Sequence, residues 1–266
     1  MCRLLGYLGP GIQLDRLLYK PEHSLVVQGY QPREMTAGVL NIDGFGLGWY
    51  HNSEHVDPFT YKNTLPIWHD TNLPQLSRYI ESGCVLGYVR SATPGMALSL
   101  SNCQPFQANN VLFIHNGYIS NFRKTLYKPI RGRLNEEVYQ FIQGTTDSEH
   151  IFGLLLNELQ AFPERSIEKA LHSTLMTLTE LAQEYQTSFS ANLIISDGQR
   201  LIASRYAYNA FTPSLYWLKD DSYYPDAVLI ASEPLFIGNW NSWKSCPKHS
   251  LLSVNENLEV HIEQLL

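Results

Sequence analysis

The sequence has no run of lysine and arginine, and its net charge of −6 removes the electrostatic basis for binding nucleic acid or an acidic membrane surface. No apolar stretch approaches the ~18 residues of a membrane span, so no spanning helix is expected. The N-terminal region lacks a basic segment followed by an apolar one, so no secretory signal is expected either. Cysteine is scarce and scattered, at Cys2, Cys84, Cys103 and Cys246. None of these stands at zinc-ligand spacing with another cysteine or a histidine. Four thiols in 266 residues do not make a disulfide framework. Reduced thiols in a cytosol, with no metal and no cofactor, are the expectation. Low-complexity linkers and internal repeats are missing too, and one domain over residues 1–266 is expected.

What is present is a series of short apolar runs broken by Gly, Pro and Asn. HSLVVQGY (23–30), GFGLGWYHN (44–52), CVLGYVRSA (84–92) and VLFIHNGYI (111–119) read as strands or strand ends. The middle is helical: a short helix over 135–143, then TTDSEHIFGLLLNELQ (145–160) and SIEKALHSTLMTLTELAQEYQ (166–186), each with leucines at helical spacing. Strands return in ANLIISDGQRLIASRYA (191–207), a hairpin turning at Asp197-Gly198, then in SLYWLK, AVLIASEP and a second hairpin over 250–265. Strands, two adjacent helices and strands again predict an α+β fold rather than a parallel βαβ sheet.

Five stretches can carry chemistry. Removal of Met1, usual before a small residue, makes Cys2 the first residue. Its free amine, near ~7.7–8.0, can then take the proton of a thiol near ~8.5. The plain alternative is a buried cysteine opening a strand. DGFGLGWY (43–50) lacks dinucleotide-loop spacing, and its glycines suit either a turn or a loop that approaches a ligand. In VRSATPG (89–95), Arg90 is either a surface charge or a bidentate carboxylate clamp. In FIHNGYISNF (113–122), Asn116-Gly117 marks a hairpin turn, or else supplies one side-chain and one backbone N–H to an oxyanion. In TTDSEH (145–150), Thr146 and Glu149 have capping-box spacing. Asp147 is then a first-turn acid that can also bind an ammonium group. Singly, each structural reading suffices. Jointly they supply the parts of one reaction, namely a thiol with its own base, an oxyanion hole, and a clamp for the two charged groups of a glutamyl unit.

MCRLLGY, DGFGLGWY, RSAT, HNG and TTDSEH, in that order, resemble the class II glutamine amidotransferases, the N-terminal-nucleophile family that includes asparagine synthetase and amidophosphoribosyltransferase. The resemblance implies Cys2 as nucleophile, its α-amine as base, and Asn116 with Gly117 as oxyanion hole. It implies Arg90 for the substrate α-carboxylate, Asp147 for the α-amine, Thr93 as a helper, and a substrate-covering loop around Gly48 and Trp49. The implied fold is a four-layer αββα sandwich of two antiparallel sheets between helices.

LIASRYA, SLYW, and ASEPL with the Trp240/Trp243 region resemble stand-alone members that cleave γ-glutamyl compounds. Hydrolases of γ-glutamyl-hercynylcysteine sulfoxide in ergothioneine biosynthesis are among the members it resembles. In NCQPF (102–106), Gln104 stands where many relatives have histidine. The implied fold is expected to take nearly the whole chain, with no synthase domain beside it. A hydrolase of a small γ-glutamyl substrate is therefore expected, with Trp49, Trp240 and Trp243 as candidate walls for the leaving group. The alternatives are a glutaminase subunit serving a separate synthase, an inactive glutamyl-binding module, and a papain-like Cys/His enzyme. A homo-oligomer is also open.

Overall fold

A computed structural model describes residues 1–35, 38, 40–51, 57–92, 97–236 and 242–265. Its frame is a pair of antiparallel sheets. The first is built from β1 (Arg3–Gln13), β2 (Phe45–Trp49), β3 (Phe59–Asn63), β4 (Glu81–Val89), β9 (Tyr216–Asp221), β10 (Tyr224–Ala231) and β11 (Lys244–Ser245), in the order β11-β9-β10-β1-β4-β2-β3. The second contains β5 (Phe106–Ala108), β6 (Val111–Ile119), β7 (Phe189–Ser196), β8 (Leu201–Tyr208), β12 (Ser250–Val254) and β13 (Val260–Gln264), in the order β13-β12-β8-β7-β6-β5. Strands on both sides of the helical stretch contribute to both sheets.

Side-chain alternation sorts the core into three layers. Leu4 and Leu8 of β1, Leu86 and Tyr88 of β4, and Val228 and Ile230 of β10 meet Leu112 and Ile114 of β6 and Ile194 of β7 between the sheets. The opposite residues of the first sheet, Leu5, Tyr7, Val85 and Val89, pack under α1 (Asp15–Leu18), α2 (Leu25–Tyr30) and α3 (Leu73–Tyr79). Those of the second sheet, Phe113, Leu193 and Ile195, pack under α6 (Asp147–Ala161) and α7 (Ile167–Glu184). Two short helices, α4 (Tyr127–Arg131) and α5 (Glu136–Phe141), lead into α6. The architecture is the expected α+β, four-layer αββα sandwich. Strong periodicity placed α6 and α7, and Gly198 at φ +93° closes the β7–β8 hairpin where Asp197-Gly198 predicted a turn.

Two local readings are corrected. Residues 23–30 do not form a strand: Ser24 caps α2, its hydroxyl accepting the Val27 N–H, and the helix lays Leu25 over Gly87 of β4. Six residues are too few to separate a period of two from one of 3.6, and packing on the sheet decides. Asn116-Gly117 is not a hairpin turn either. The pair lies in the middle of β6, opposite Asn192 and Ala191 of β7.

Ile194 is fully buried between the sheets, its side chain seated over Gly6 of β1. Ile194→Ala should cost about 2–5 kcal/mol, read as a lower urea midpoint at unchanged slope. A loss below about 0.5 kcal/mol would mean that the sheets do not pack through this side chain.

Candidate active site

Cys2 stands immediately before β1. Arg3 pairs with Val89, so one further antiparallel step sets Cys2 alongside Arg90. Arg90 N donates to the Gly44 carbonyl at 2.8 Å and Asp43 N to the Arg90 carbonyl at 3.1 Å, which extends the ladder to the turn before β2. Alternation turns Cys2, Tyr88 and Arg90 into the space between the sheets. Cys2 Sγ lies 3.0 Å from Tyr88 Oη and 3.6 Å from the Ser91 carbonyl.

From the second sheet, the same alternation sends Asn116 into that space, on the face carrying Leu112 and Ile114. Asn116 is 1% exposed, and neither its Nδ2 nor its Oδ1 has a hydrogen-bond partner. An amide so buried without a partner costs about 1–3 kcal/mol, which a ligand group can recover.

The other phase of β6 is occupied by clamps. His115 N–H donates to Gln104 Oε1, and Gln104 Nε2 donates to the His115 carbonyl. Ile119 N–H donates to Asp147 Oδ2 at 2.7 Å. Alternate N–H groups of a strand point to one side, so the Gly117 N–H lies on the same edge, between these two plugged positions. A side chain at Gly117 would collide with the Ser190 carbonyl and the His115 ring, so only glycine fits.

Asp147 opens α6 behind the Thr146 cap, whose hydroxyl accepts the Glu149 N–H at 3.2 Å. Half of the expected capping box forms. The Glu149 carboxylate instead accepts the N–H groups of Gln143 and Gly144. Arg90 is 3% exposed and Asp147 8% exposed, yet among the described residues neither forms an ion pair. Arg90 Nη1 donates only to a carbonyl, that of Asp43, at 3.2 Å. Buried charges are ordinarily paired. One cation and one anion left without ionic partners match a ligand that carries both a carboxylate and an ammonium group.

Burial pushes the thiols of Cys84, Cys103 and Cys246 up, that of Cys84 to about 12, and so keeps them protonated. Burial pushes the Met1 amine down; Cys2 acts against this, Arg3 adds to it and Asp43 opposes it. His115 turns its ring away from Cys2: Nδ1 lies 2.9 Å from Ser148 Oγ and Nε2 3.1 Å from the Ser190 carbonyl. Burial lowers its pKa, against the Asp147 charge and the Ser190 bond. Among the described residues, the groups shown on Cys2 Sγ are Tyr88 and the Ser91 carbonyl, which lends the Cys/His reading no support.

Other expected residues stand elsewhere. Gly48 and Trp49 belong to strand β2, not to a covering loop. They lie three and four residues from Phe45, the residue level with Val89 beside Cys2, or about 10–13 Å along the strand. Trp49 faces outward onto Phe59, at 4.9 Å between ring centroids. The Gly46 and Gly48 positions let the Gln104-Pro105 segment and Leu112 press on β2, and a Cβ at either would clash there. Trp243 is buried against Phe236 on the helix side of the first sheet, away from the gap. Thr93 and Trp240 lie outside the described residues.

The sequence pattern assigned no role to Asp43, Gln104 or Glu233. The Glu233 carboxylate gathers Arg3 Nη1 at 2.8 Å, His23 Nε2 at 2.6 Å, and the N–H groups of Arg33 and Glu34 at 2.9 and 3.0 Å. The ASEPL motif that holds it was visible, but its partners were not.

A family model for glutamine amidotransferases class-II matches residues 1–212. The chain belongs to that family. It is an amide hydrolase of the N-terminal-nucleophile type. It is similar to the gamma-glutamyl-hercynylcysteine sulfoxide hydrolase of Mycolicibacterium smegmatis, at 29% identity over 96% of each chain. It is also similar to the Saccharomyces cerevisiae protein named "Probable glutamine amidotransferase DUG3", at 28% identity over 96% of this chain and 82% of that one. A solved class-II domain protein from Silicibacter pomeroyi superposes over 100% of both chains, with a TM-score of 0.71 at 25% identity. Among the described residues no helix is long and apolar enough to cross a membrane, and no cluster of ligating side chains suits a metal ion.

Burial by itself pushes the Glu233 carboxyl up; the His23 bond, the Arg3 charge and the two N–H groups outweigh it and hold it below the ordinary carboxylate range. A lowered folded-state pKa gives stabilisation that is complete above the unfolded value near ~4.3 and is lost as pH falls through the lowered one. Glu233→Gln should therefore cost about 3–5 kcal/mol near neutrality, a gap that narrows as pH falls below about 4. Denaturant melts of both proteins across pH check this. A gap that stays constant with pH would rule out the charge as its cause.

Proposed function

We propose that the chain hydrolyses the γ-glutamyl amide bond of a small molecule through a Cys2 thioester, releasing glutamate, once Met1 has been removed. The observation that supports this reading is a pair of buried charges with no ionic partner among the described residues, Arg90 alongside Cys2 and Asp147 on the β6 edge beside Gly117, together with the orphaned Asn116 amide. Arg90 takes the α-carboxylate and Asp147 the α-ammonium, with Thr93 as a helper. The Cys2 amine accepts the thiol proton as sulfur attacks the γ-carbonyl carbon. The resulting oxyanion takes N–H bonds from Asn116 and Gly117. As the C–N bond breaks, its electron pair stays on nitrogen, which takes the proton from the Cys2 ammonium and leaves as an amine. Water, deprotonated by the same Cys2 amine, then attacks the thioester and frees glutamate and the thiol.

The finer reading is that the substrate is a γ-glutamyl conjugate larger than glutamine, of the γ-glutamyl-hercynylcysteine sulfoxide type. Similarity to the mycobacterial hydrolase over nearly the full length of both chains supports it. Comparable similarity to the yeast amidotransferase supports a second reading, a glutaminase subunit that passes ammonia to a separate synthase. An inactive glutamyl-binding module predicts no turnover at all. One domain over residues 1–266, working in the cytosol without a cofactor, is part of the proposal.

Intact mass of the active protein should lack Met1, because a retained methionine turns the Cys2 nitrogen into an amide with no basic lone pair. Full activity with Met1 in place would sink the mechanism. Cys2→Ala should abolish glutamate release, while Cys84→Ala and Cys246→Ala retain it.

Glutamate release from L-glutamine and from γ-glutamyl-hercynylcysteine sulfoxide at equal concentration separates the two substrate readings. The conjugate should be preferred by at least about tenfold, the equivalent of ~1.4 kcal/mol of extra transition-state binding. A preference for glutamine, raised further by a synthase, would favour the subunit reading.

A further inference from the structure

We infer that Asn192 and Ser190 form the subsite for the leaving amine, with Asn192 Oδ1 accepting the N–H of the scissile amide. This assignment rests on the hydrolase reading above. Both residues belong to β7 and share the alternation phase of Ile194, so their side chains enter the space between the sheets. Asn192 pairs directly with Asn116, and Ser190 with Tyr118. Directly paired residues of adjacent strands stand about 5 Å apart, so the Asn192 amide neighbours the oxyanion-binding amide.

The orientation of Asn192 is fixed by its own donors. Nδ2 reaches the carbonyls of Pro213 at 3.2 Å and Ser214 at 3.0 Å. Arg205, its partner on β8, donates through Nε to the same Pro213 carbonyl at 2.8 Å, so this anchor lies on the β8 side. Oδ1 is thereby turned the other way, toward β6 and Asn116. It is buried and has no partner, and neither does Ser190 Oγ. Two orphaned polar atoms on an otherwise satisfied strand mark a place for a ligand.

The chemistry of the two atoms says which part of the substrate goes there. Asp147 holds the glutamyl side of the site to the edge of β6 that faces away from β7. The bond to be broken then leads over β7. A carbonyl oxygen is only an acceptor, so Asn192 Oδ1 selects a leaving atom that carries hydrogen. It also favours that nitrogen as it gains a proton and positive character on departure. Ser190 Oγ, two residues or about 7 Å toward the half-exposed Tyr118, meets the next polar group of the amine. The ligand class is a γ-glutamyl secondary amide, whose leaving group is a substituted primary amine.

A matched pair of compounds tests this: γ-glutamyl benzylamide and glutamate γ-benzyl ester, which differ only by N–H against O. Glutamate release is followed for the full-length protein, for Asn192→Leu and for Ser190→Ala. Asn192→Leu should lower kcat/KM for the amide by roughly 10- to 100-fold, as one lost hydrogen bond to a developing charge predicts, with less than a threefold loss on the ester. Ser190→Ala should show the same sign with a smaller amide-selective loss, and it serves alone if Asn192→Leu does not fold. Equal losses on both compounds would mean that Asn192 acts only through Asn116 or the fold, because both compounds form the same oxyanion; this overturns the assignment. Unchanged amide kinetics in the folded variants overturn it as well. A wild-type protein that releases glutamate from neither compound fails the hydrolase reading itself.

Discussion

The contact on which the site depends is the one between Arg3 and Glu233. A residue at the second position of a chain has only one strand to hold it, and a chain end frays unless something ties it down. Here the tie is ionic and fully buried, and it attaches next to Cys2. Arg3 points to the helix side of the first sheet while Cys2 points to the gap, so the anchor does not occupy the site it steadies. The same carboxylate receives His23 and the N–H groups of Arg33 and Glu34, which joins the segment after α2 to the start of β1. Such a pair is weak evidence for net stability, because desolvation offsets much of the attraction. Its value is positional: it fixes where the first two residues lie.

Strand β6 shows how one backbone serves two purposes through its period of two. Its odd residues are structural. His115 is clamped by Gln104 and Ser148, and Ile119 is held by Asp147. Its even residues face the gap, and Asn116 reaches it with both polar atoms free. Gly117 joins the two sets, contributing a backbone donor instead of a side chain. The helix dipole at the start of α6 and the strand edge thus converge on Asp147, which caps one element and opens the other.

Most of the strands and both long helices are legible because alternation and helical periodicity are local, whereas the four-layer order follows only from the family resemblance. Arg90, Asn116 and Asp147 stand out as candidates because each sits in a short motif whose chemistry makes sense only in company. Other features were not legible, for physical reasons. The segment 23–30 is apolar and short, and its helix forms because a sheet face must be covered. The glycines of DGFGLGWY look alike in a turn and in a strand pressed by a neighbouring segment, which is why Gly48 and Trp49 were misplaced. Arg3 and Glu233 are separated by 230 positions, and no periodicity connects them. Asn116-Gly117 is a strong turn signal by propensity, but tertiary clamps on either side keep β6 extended through it.

An unpaired strand edge is a template for another strand, and proteins go to some length to blunt such edges. Beyond its short pairing with β5, β6 presents that kind of edge. Gln104 and Asp147 occupy it on either side of Gly117, so a single N–H lies between two side-chain plugs. An extended peptide that tried to add along this edge would need donors and acceptors at successive alternate positions, and it would find them taken. One carbonyl oxygen needs only the single donor. Under the proposed function, the arrangement that offers the edge to a small amide also opposes a polypeptide: one donor suffices for a carbonyl oxygen, while the plugs at His115 and Ile119 stand against strand addition.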